Sequence, residues 1–226
     1  MERYEAGPLN RLAPQTAHPR VLAPHDPSKV CFTLYLIRHP KVSLEWEGIC
    51  YGDHDVSLES QWQASVEPKL QYLRQLTGPD QIAEIWHSDL GRTRQPAEWL
   101  SSQLGIPTFG DARLRERHFG SWQGLAWSNI PQEEIMNAHD MLDHPNTYRP
   151  GNGETTKEMI ERVSGWLQER LAKGSGTIPS IAMIGHSGSI TSLCGSMLGL
   201  APRDWTPYYL KPSEWLIVSN QNDSCL

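Results

Sequence analysis

The sequence predicts an α/β fold: a three-layer sandwich with a largely parallel central sheet covered by helices on both faces, plus a small cap insertion. Three observations predict it. Uninterrupted apolar runs at residues 34–37, 82–86 and 181–184 read as strands buried on both faces, as in parallel sheets. Segments of helical periodicity separate them, and such alternation gives a parallel sheet with both faces covered. Each run also ends on polar residues (Arg38-His39, His87-Ser88-Asp89, His186-Ser187), and the carboxyl edge of an open sheet is where ligands bind.

The 226 residues suit one domain. A net charge of −6 without a basic block argues against nucleic acid or a membrane surface as partner, and no stretch is long and apolar enough to span a bilayer. Cys31, Cys50, Cys194 and Cys225 lack CxxC spacing and read as reduced thiols of a cytoplasmic protein, with no zinc site.

In chain order, residues 1–29 hold five prolines and read as a flexible arm, leaving 30–226 as the domain. The first strand ends at Pro40, which cannot donate to a ladder. A loop over residues 40–57 follows, long enough at this edge to be functional. Leu58, Trp62, Val66, Leu70 and Leu73 predict a helix with Ser57 as N-cap and Pro68 as a kink. After the strand at 82–86 a helix runs to Leu104, capped by Ser88 or Asp89 and closed by Gly105. Arg92 falls in its first turn, where the helix dipole favours anions; a ligand explains it better than stability does.

Residues 107–109 read as extended, 131–142 as a helix, and Gly151-Asn152-Gly153 as a turn. Thr155 and Glu158 match a capping box, opening a helix whose apolar face is Met159, Ile160, Val163, Trp166, Leu167 and Leu171. The strand at 181–184 leads into a helix to Leu198, and residues 215–218 read as a last, edge strand. His139, Asp143 and His144 have a spacing that suits a metal but lack a fourth ligand; a solvated helix face is the better reading.

The motifs LIRHP, HSDLGRTRQPA, RLRERHFGSWQG, PGNGET and IGHSG occur in this order. With them the chain resembles the histidine phosphatase (phosphoglycerate mutase-like) superfamily over about residues 31–220. GICYGDHDVSL and FGSWQG look most like its alpha-ribazole phosphatase branch. The resemblance implies that His39 is the nucleophile and becomes a phosphohistidine, splitting one hard displacement into two easier ones. It implies that Arg38, Arg92 and His186 bind the non-bridging oxygens, that Glu116 protonates the leaving oxygen and then activates water, and that no metal or other cofactor is needed. Ser88 is a neighbour of the phosphate pocket or a helix cap, and Ser187 is counted with the substrate-binding residues. Pro40, Val42, Pro96 and Ser187 depart from the family pattern, where glycine, a hydroxyl residue, threonine and glycine are usual.

Between His118 and Arg149 the chain has no lysine or arginine, and Glu133, Glu134, Asp140 and Asp143 make the cap, about residues 120–150, acidic. A bisphosphoglycerate mutase needs a basic cap for its second phosphate. The expected substrate is therefore a small monophosphate with an uncharged or aromatic remainder, alpha-ribazole 5'-phosphate foremost. A broad-specificity sugar or nucleotide phosphatase, or a mutase-like enzyme, stands as the alternative. Trp122 and Trp127 could line the substrate mouth or fill a core. A non-catalytic phosphate-binding module would need the arginines but neither His39 nor Glu116, and a protein phosphohistidine phosphatase would want less cap. Edge strands of such folds often pair, which allows a homodimer.

Overall fold

The computed structural model describes residues 20–22, 32–77, 81–136, 140–173 and 180–220. Strands β1 (Arg20–Leu22), β2 (Phe32–Arg38), β3 (Ile82–His87), β4 (Thr108–Gly110), β5 (Ser180–Gly185) and β6 (Trp215–Asn220) form one sheet in the order β1-β6-β2-β5-β3-β4. β2, β5, β3 and β4 run parallel, β6 is antiparallel to β2, and β1 is parallel to β6.

Strand β2 shows why residues 34–37 are an unbroken apolar run. Phe32, Leu34 and Leu36 enter one core with Met159, Val163 and Trp166 of α5 (Thr156–Lys173) and Ile190 and Leu193 of α6 (Ser187–Met197). Tyr35 and Ile37 enter another, with Val66, Leu70 and Leu73 of α1 (Gln63–Leu73) and Ala97 and Leu100 of α2 (Gly91–Leu104). A strand covered on both faces stays apolar until it emerges; the one exception within β2 is Thr33, whose hydroxyl meets Ser219 Oγ at 3.2 Å. The expected three layers are present.

Several expectations need correction. The strand at 215–218 is not an edge: β1 covers its outer side, with Val21 opposite Ile217. Those three residues lie in the segment read as a flexible arm, and three residues are too few to show a strand period; residues 1–19 and 23–31 lie outside the described ones. Helix α1 begins at Gln63, not after Ser57, because Leu58 pairs with Val42 and the Ser57 hydroxyl bonds Ser43 and Glu45 across the loop. It continues through Pro68.

Neither Ser88 nor Asp89 caps α2. Asp55, from the long loop, accepts the Gly91 N–H at 2.6 Å, while Asp89 pairs with Arg115 at 2.5 Å. Gly105 closes this helix as expected, at φ 70°. Of the helix expected over 131–142, the described parts are α3 (Gln132–Met136) and α4 (Asp140–Asp143); residues 137–139, His139 among them, lie outside the described residues. The capping box holds: Glu158 N–H donates to Thr155 Oγ1 at 3.1 Å and Thr155 N–H to Glu158 Oε2 at 2.9 Å.

The cap has a small core of its own, in which Trp122, Ile130 and Phe119 pack on Cys50 of the long loop. Cys50 N–H donates to the Leu125 carbonyl at 2.9 Å and Gly124 N–H returns to Cys50 at 2.8 Å, so loop and cap are stitched together. The chain doubles back tightly beneath them. A Cβ on Gly120 would stand 1.9 Å from the Gly151 oxygen, and one on Gly153 would stand 2.1 Å from the His118 oxygen, which explains glycine in both FGSWQG and PGNGET. Among the described residues no helix is long and apolar enough to cross a membrane.

Candidate active site

The carboxyl ends of β2, β3 and β5 converge. His39, 1% exposed, is fixed by its N–H to the Gly185 carbonyl at 2.9 Å. Its Nδ1 lies 2.6 Å from the Pro40 carbonyl, and a carbonyl can only accept, so Nδ1 carries the hydrogen. Burial, then the charges of Arg92 and Arg38, hold its pKa well below the usual 6.5. The ring is neutral, with an unshared pair on Nε2. Proline in place of the usual glycine at position 40 keeps the carbonyl on which this depends.

Arg38 donates from Nη1 to the Leu210 carbonyl at 2.5 Å, while its buried Nε has no hydrogen-bond partner among the described residues. Arg92 is wholly buried. Its Nη1 and Nη2 reach the carbonyls of His54 and Gly52, each at 2.5 Å, its Nε donates to His186 Nδ1 at 3.2 Å, and the Tyr51 ring centroid lies 5.1 Å from Cζ. The loop over residues 51–55 is thus a cradle for this arginine.

His186 stands edge-on to His39 with ring centroids 5.2 Å apart, and burial followed by Arg92 keeps its pKa well below 6.5. Its Nε2 meets Ser88 Oγ at 2.8 Å. Ser88 is fully enclosed and also meets Thr93 Oγ1 at 2.7 Å and Leu90 N–H at 3.3 Å. With those valences taken, Ser88 backs the imidazole and is not free to hold substrate, contrary to the substrate-binding expectation. Ser187 Oγ is 3.4 Å from the Leu210 carbonyl and lines the adjoining cavity.

Glu116 also faces that cavity. Its Oε2 accepts the Gly188 N–H at 3.1 Å and its Oε1 accepts the Arg117 N–H at 2.9 Å. Neither flanking arginine locks it in an ion pair: Arg115 is taken by Asp89, and Arg117 donates to the Glu154 carbonyl at 2.8 Å and Thr156 Oγ1 at 2.9 Å. The cavity, about 460 Å³, has walls of Phe119, Met141, Leu142, Met159 and Trp205, with Arg117 and Tyr209 as polar members. It adjoins the histidine pair through Glu116, Ser187 and Gly188, whereas His39 and the two arginines lie beyond its lining.

His118 sits beside the site, 2.9 Å from Asp53. Trp122 is core, 2% exposed, whereas Trp127 is 42% exposed; neither lines the cavity. Burial and the Glu116 carboxylate push the Cys50 thiol up to about 12, so it is no competing nucleophile.

A family model, the histidine phosphatase superfamily (branch 1), matches residues 34–225. The chain belongs to that superfamily. A probable phosphoglycerate mutase of Serratia proteamaculans is 28% identical over 169 residues, 74% of this chain and 75% of the relative. A glucosyl-3-phosphoglycerate phosphatase of Mycobacterium tuberculosis is 27% identical over 169 residues, 69% and 75% of the two chains. The alpha-ribazole phosphatase of Shigella flexneri shares the fold, with a TM-score of 0.66 and 21% identity over 85% of this chain and 92% of that one.

As a histidine phosphatase the chain carries supporting residues that motif reading passes over. Arg162 of α5 donates to the carbonyls of Arg113 at 2.6 Å, Arg115 at 2.7 Å and Glu116 at 3.1 Å, and pairs with Glu154 at 2.5 Å, so one side chain sets the backbone that presents Glu116. Its signal was Glu154 in PGNGET, a carboxylate needing a partner. Tyr51, whose ring lies against Arg92, and Asp55, which caps the helix that carries it, belong to GICYGDHDVSL, but a loop has no period from which their partners could be read. Among the described residues no group of three His, Cys, Asp or Glu side chains could hold a metal ion.

Proposed function

We propose that this histidine phosphatase hydrolyses a small phosphate monoester, without a metal, through a phosphohistidine at His39. The observation that carries the reading is the tautomer of His39: Nδ1–H is committed to Pro40, so the lone pair is on Nε2, in a buried site flanked by two arginines. An imidazole must be neutral to attack phosphorus, and burial together with those charges keeps it so. Arg38 and Arg92 neutralise the equatorial oxygens, each charge-assisted contact contributing about 1.5–3 kcal/mol. Glu116 protonates the departing oxygen and then takes a proton from the attacking water. The leaving group enters the cavity beyond Glu116.

The apolar walls of that cavity support alpha-ribazole 5'-phosphate, whose base is aromatic, as substrate. A second reading is favoured by Arg117, a buried cation on the wall: a phosphorylated acid, in keeping with the substrates named in the mutase and glucosyl-phosphoglycerate relatives. The test is phosphate release in EDTA from alpha-ribazole 5'-phosphate, glucosyl-3-phosphoglycerate, 3-phosphoglycerate and p-nitrophenyl phosphate. Highest kcat/KM on the first supports the aromatic reading, and highest on either acid overturns it in favour of the second. Activity only with added metal sinks both.

A further inference from the structure

Donors and acceptors around His186 are assigned by what each atom can do. Arg92 Nε has only a hydrogen to give, so His186 Nδ1 accepts it at 3.2 Å and holds a lone pair. The neutral ring's one hydrogen is therefore on Nε2 and goes to Ser88 Oγ at 2.8 Å. Leu90 N–H, 3.3 Å away, takes the second lone pair of that oxygen. Ser88 has only its own O–H left to donate, and Thr93 Oγ1 receives it at 2.7 Å. Thr93 passes its hydrogen to the Leu90 or Ser88 carbonyl, each at 3.0 Å. His186, Ser88 and Thr93 have no exposed surface through which water could substitute for any member.

We propose that Thr93 is a positioning residue: through Ser88 it fixes the tautomer of His186, and through that tautomer the orientation of the Arg92 guanidinium. Without an acceptor at position 93, the Ser88 hydroxyl turns to its other polar neighbour, His186 Nε2. That nitrogen then needs the lone pair, and the ring hydrogen moves to Nδ1. There it faces Arg92 Nε–H, donor against donor, in an enclosed site where an unmet donor is costly. Arg92 keeps its carbonyl anchors at Gly52 and His54 but turns away from His186. The kinetic consequence rests on the phosphatase reading above, whereas the tautomer does not.

Thr93→Val keeps the size and removes the hydroxyl; Thr93→Ser keeps the hydroxyl, and Thr93→Ala serves if the valine variant does not fold. The readouts are the ring-nitrogen chemical shifts of His186 in histidine-labelled protein, assigned with His186→Gln, inhibition by inorganic phosphate, and kcat/KM for p-nitrophenyl phosphate. Wild type and Thr93→Ser show the hydrogen on Nε2. Thr93→Val shows it on Nδ1, with phosphate binding and kcat/KM about tenfold lower, the scale of one charge-assisted contact. A valine variant that keeps the Nε2 hydrogen overturns the proposal, as does a serine variant that loses as much activity as valine. A wild type inert on phosphate esters would remove the function reading, while the ring shifts would still decide the tautomer.

Discussion

Gly188 is the seat of Glu116: its N–H donates to Oε2 at 3.1 Å, and a Cβ in its place would stand 2.2 Å from Oε1. The second glycine of IGHSG is thus required by a side chain from another segment. Gly188→Ala is expected to fold, since α6 tolerates alanine, but to displace the carboxylate. The loss should follow the leaving group: about 100-fold or more on an alkyl phosphate, whose oxygen needs a proton, and far less on p-nitrophenyl phosphate. Steady-state kinetics on the two esters check it, and equal losses would show that Glu116 is not the proton donor.

Arg162 holds three carbonyls and the Glu154 carboxylate, with its side chain 21% exposed and that of Glu154 13%. Arg162→Met leaves Glu154 without its partner and frees the Glu116 backbone. We expect about 3 kcal/mol of destabilisation, read from urea unfolding, and a lower kcat. Arg162→Lys should rescue little, because one ammonium cannot reproduce a fork of donors. A lysine variant with wild-type stability would contradict this.

Both site histidines are held neutral, His39 and His186 alike having pKa values well below 6.5. Above that value neither state is charged and they contribute nothing to the pH dependence. As pH falls below about 6.5 the unfolded chain takes up protons that the folded one does not, so stability falls, by up to about 1.4 kcal/mol per pH unit for each histidine. Urea midpoints over pH 5–7 should therefore rise with pH, and His39→Gln should flatten the slope. An unchanged slope would mean that His39 titrates normally in the folded protein.

Much of this was legible in the sequence, for definite reasons. Strands buried on both faces advertise themselves as apolar runs, so β2, β3 and β5, and the polar residues at their ends, could be read directly. His39, Arg92, His186 and Glu116 could be picked out as candidates because they follow those runs or stand in recognisable motifs. What escaped depends on contacts between distant segments. Ser88 looked like a cap or a phosphate neighbour, but Asp55, 33 positions before it, caps α2 and leaves the serine to His186. The acidic stretch after His118 predicts a substrate with an uncharged or aromatic remainder, whereas the cation lining the cavity is Arg117, one residue earlier.

The central claim is that His39 carries the phosphoryl group. The most direct measurement is to quench wild type in alkali during turnover of a radiolabelled phosphate ester in EDTA and map the label by mass spectrometry. The account predicts an alkali-stable, acid-labile phosphoryl group on His39, absent from His39→Ala. Turnover in wild type with no labelled chain, or with label on another residue, would contradict it.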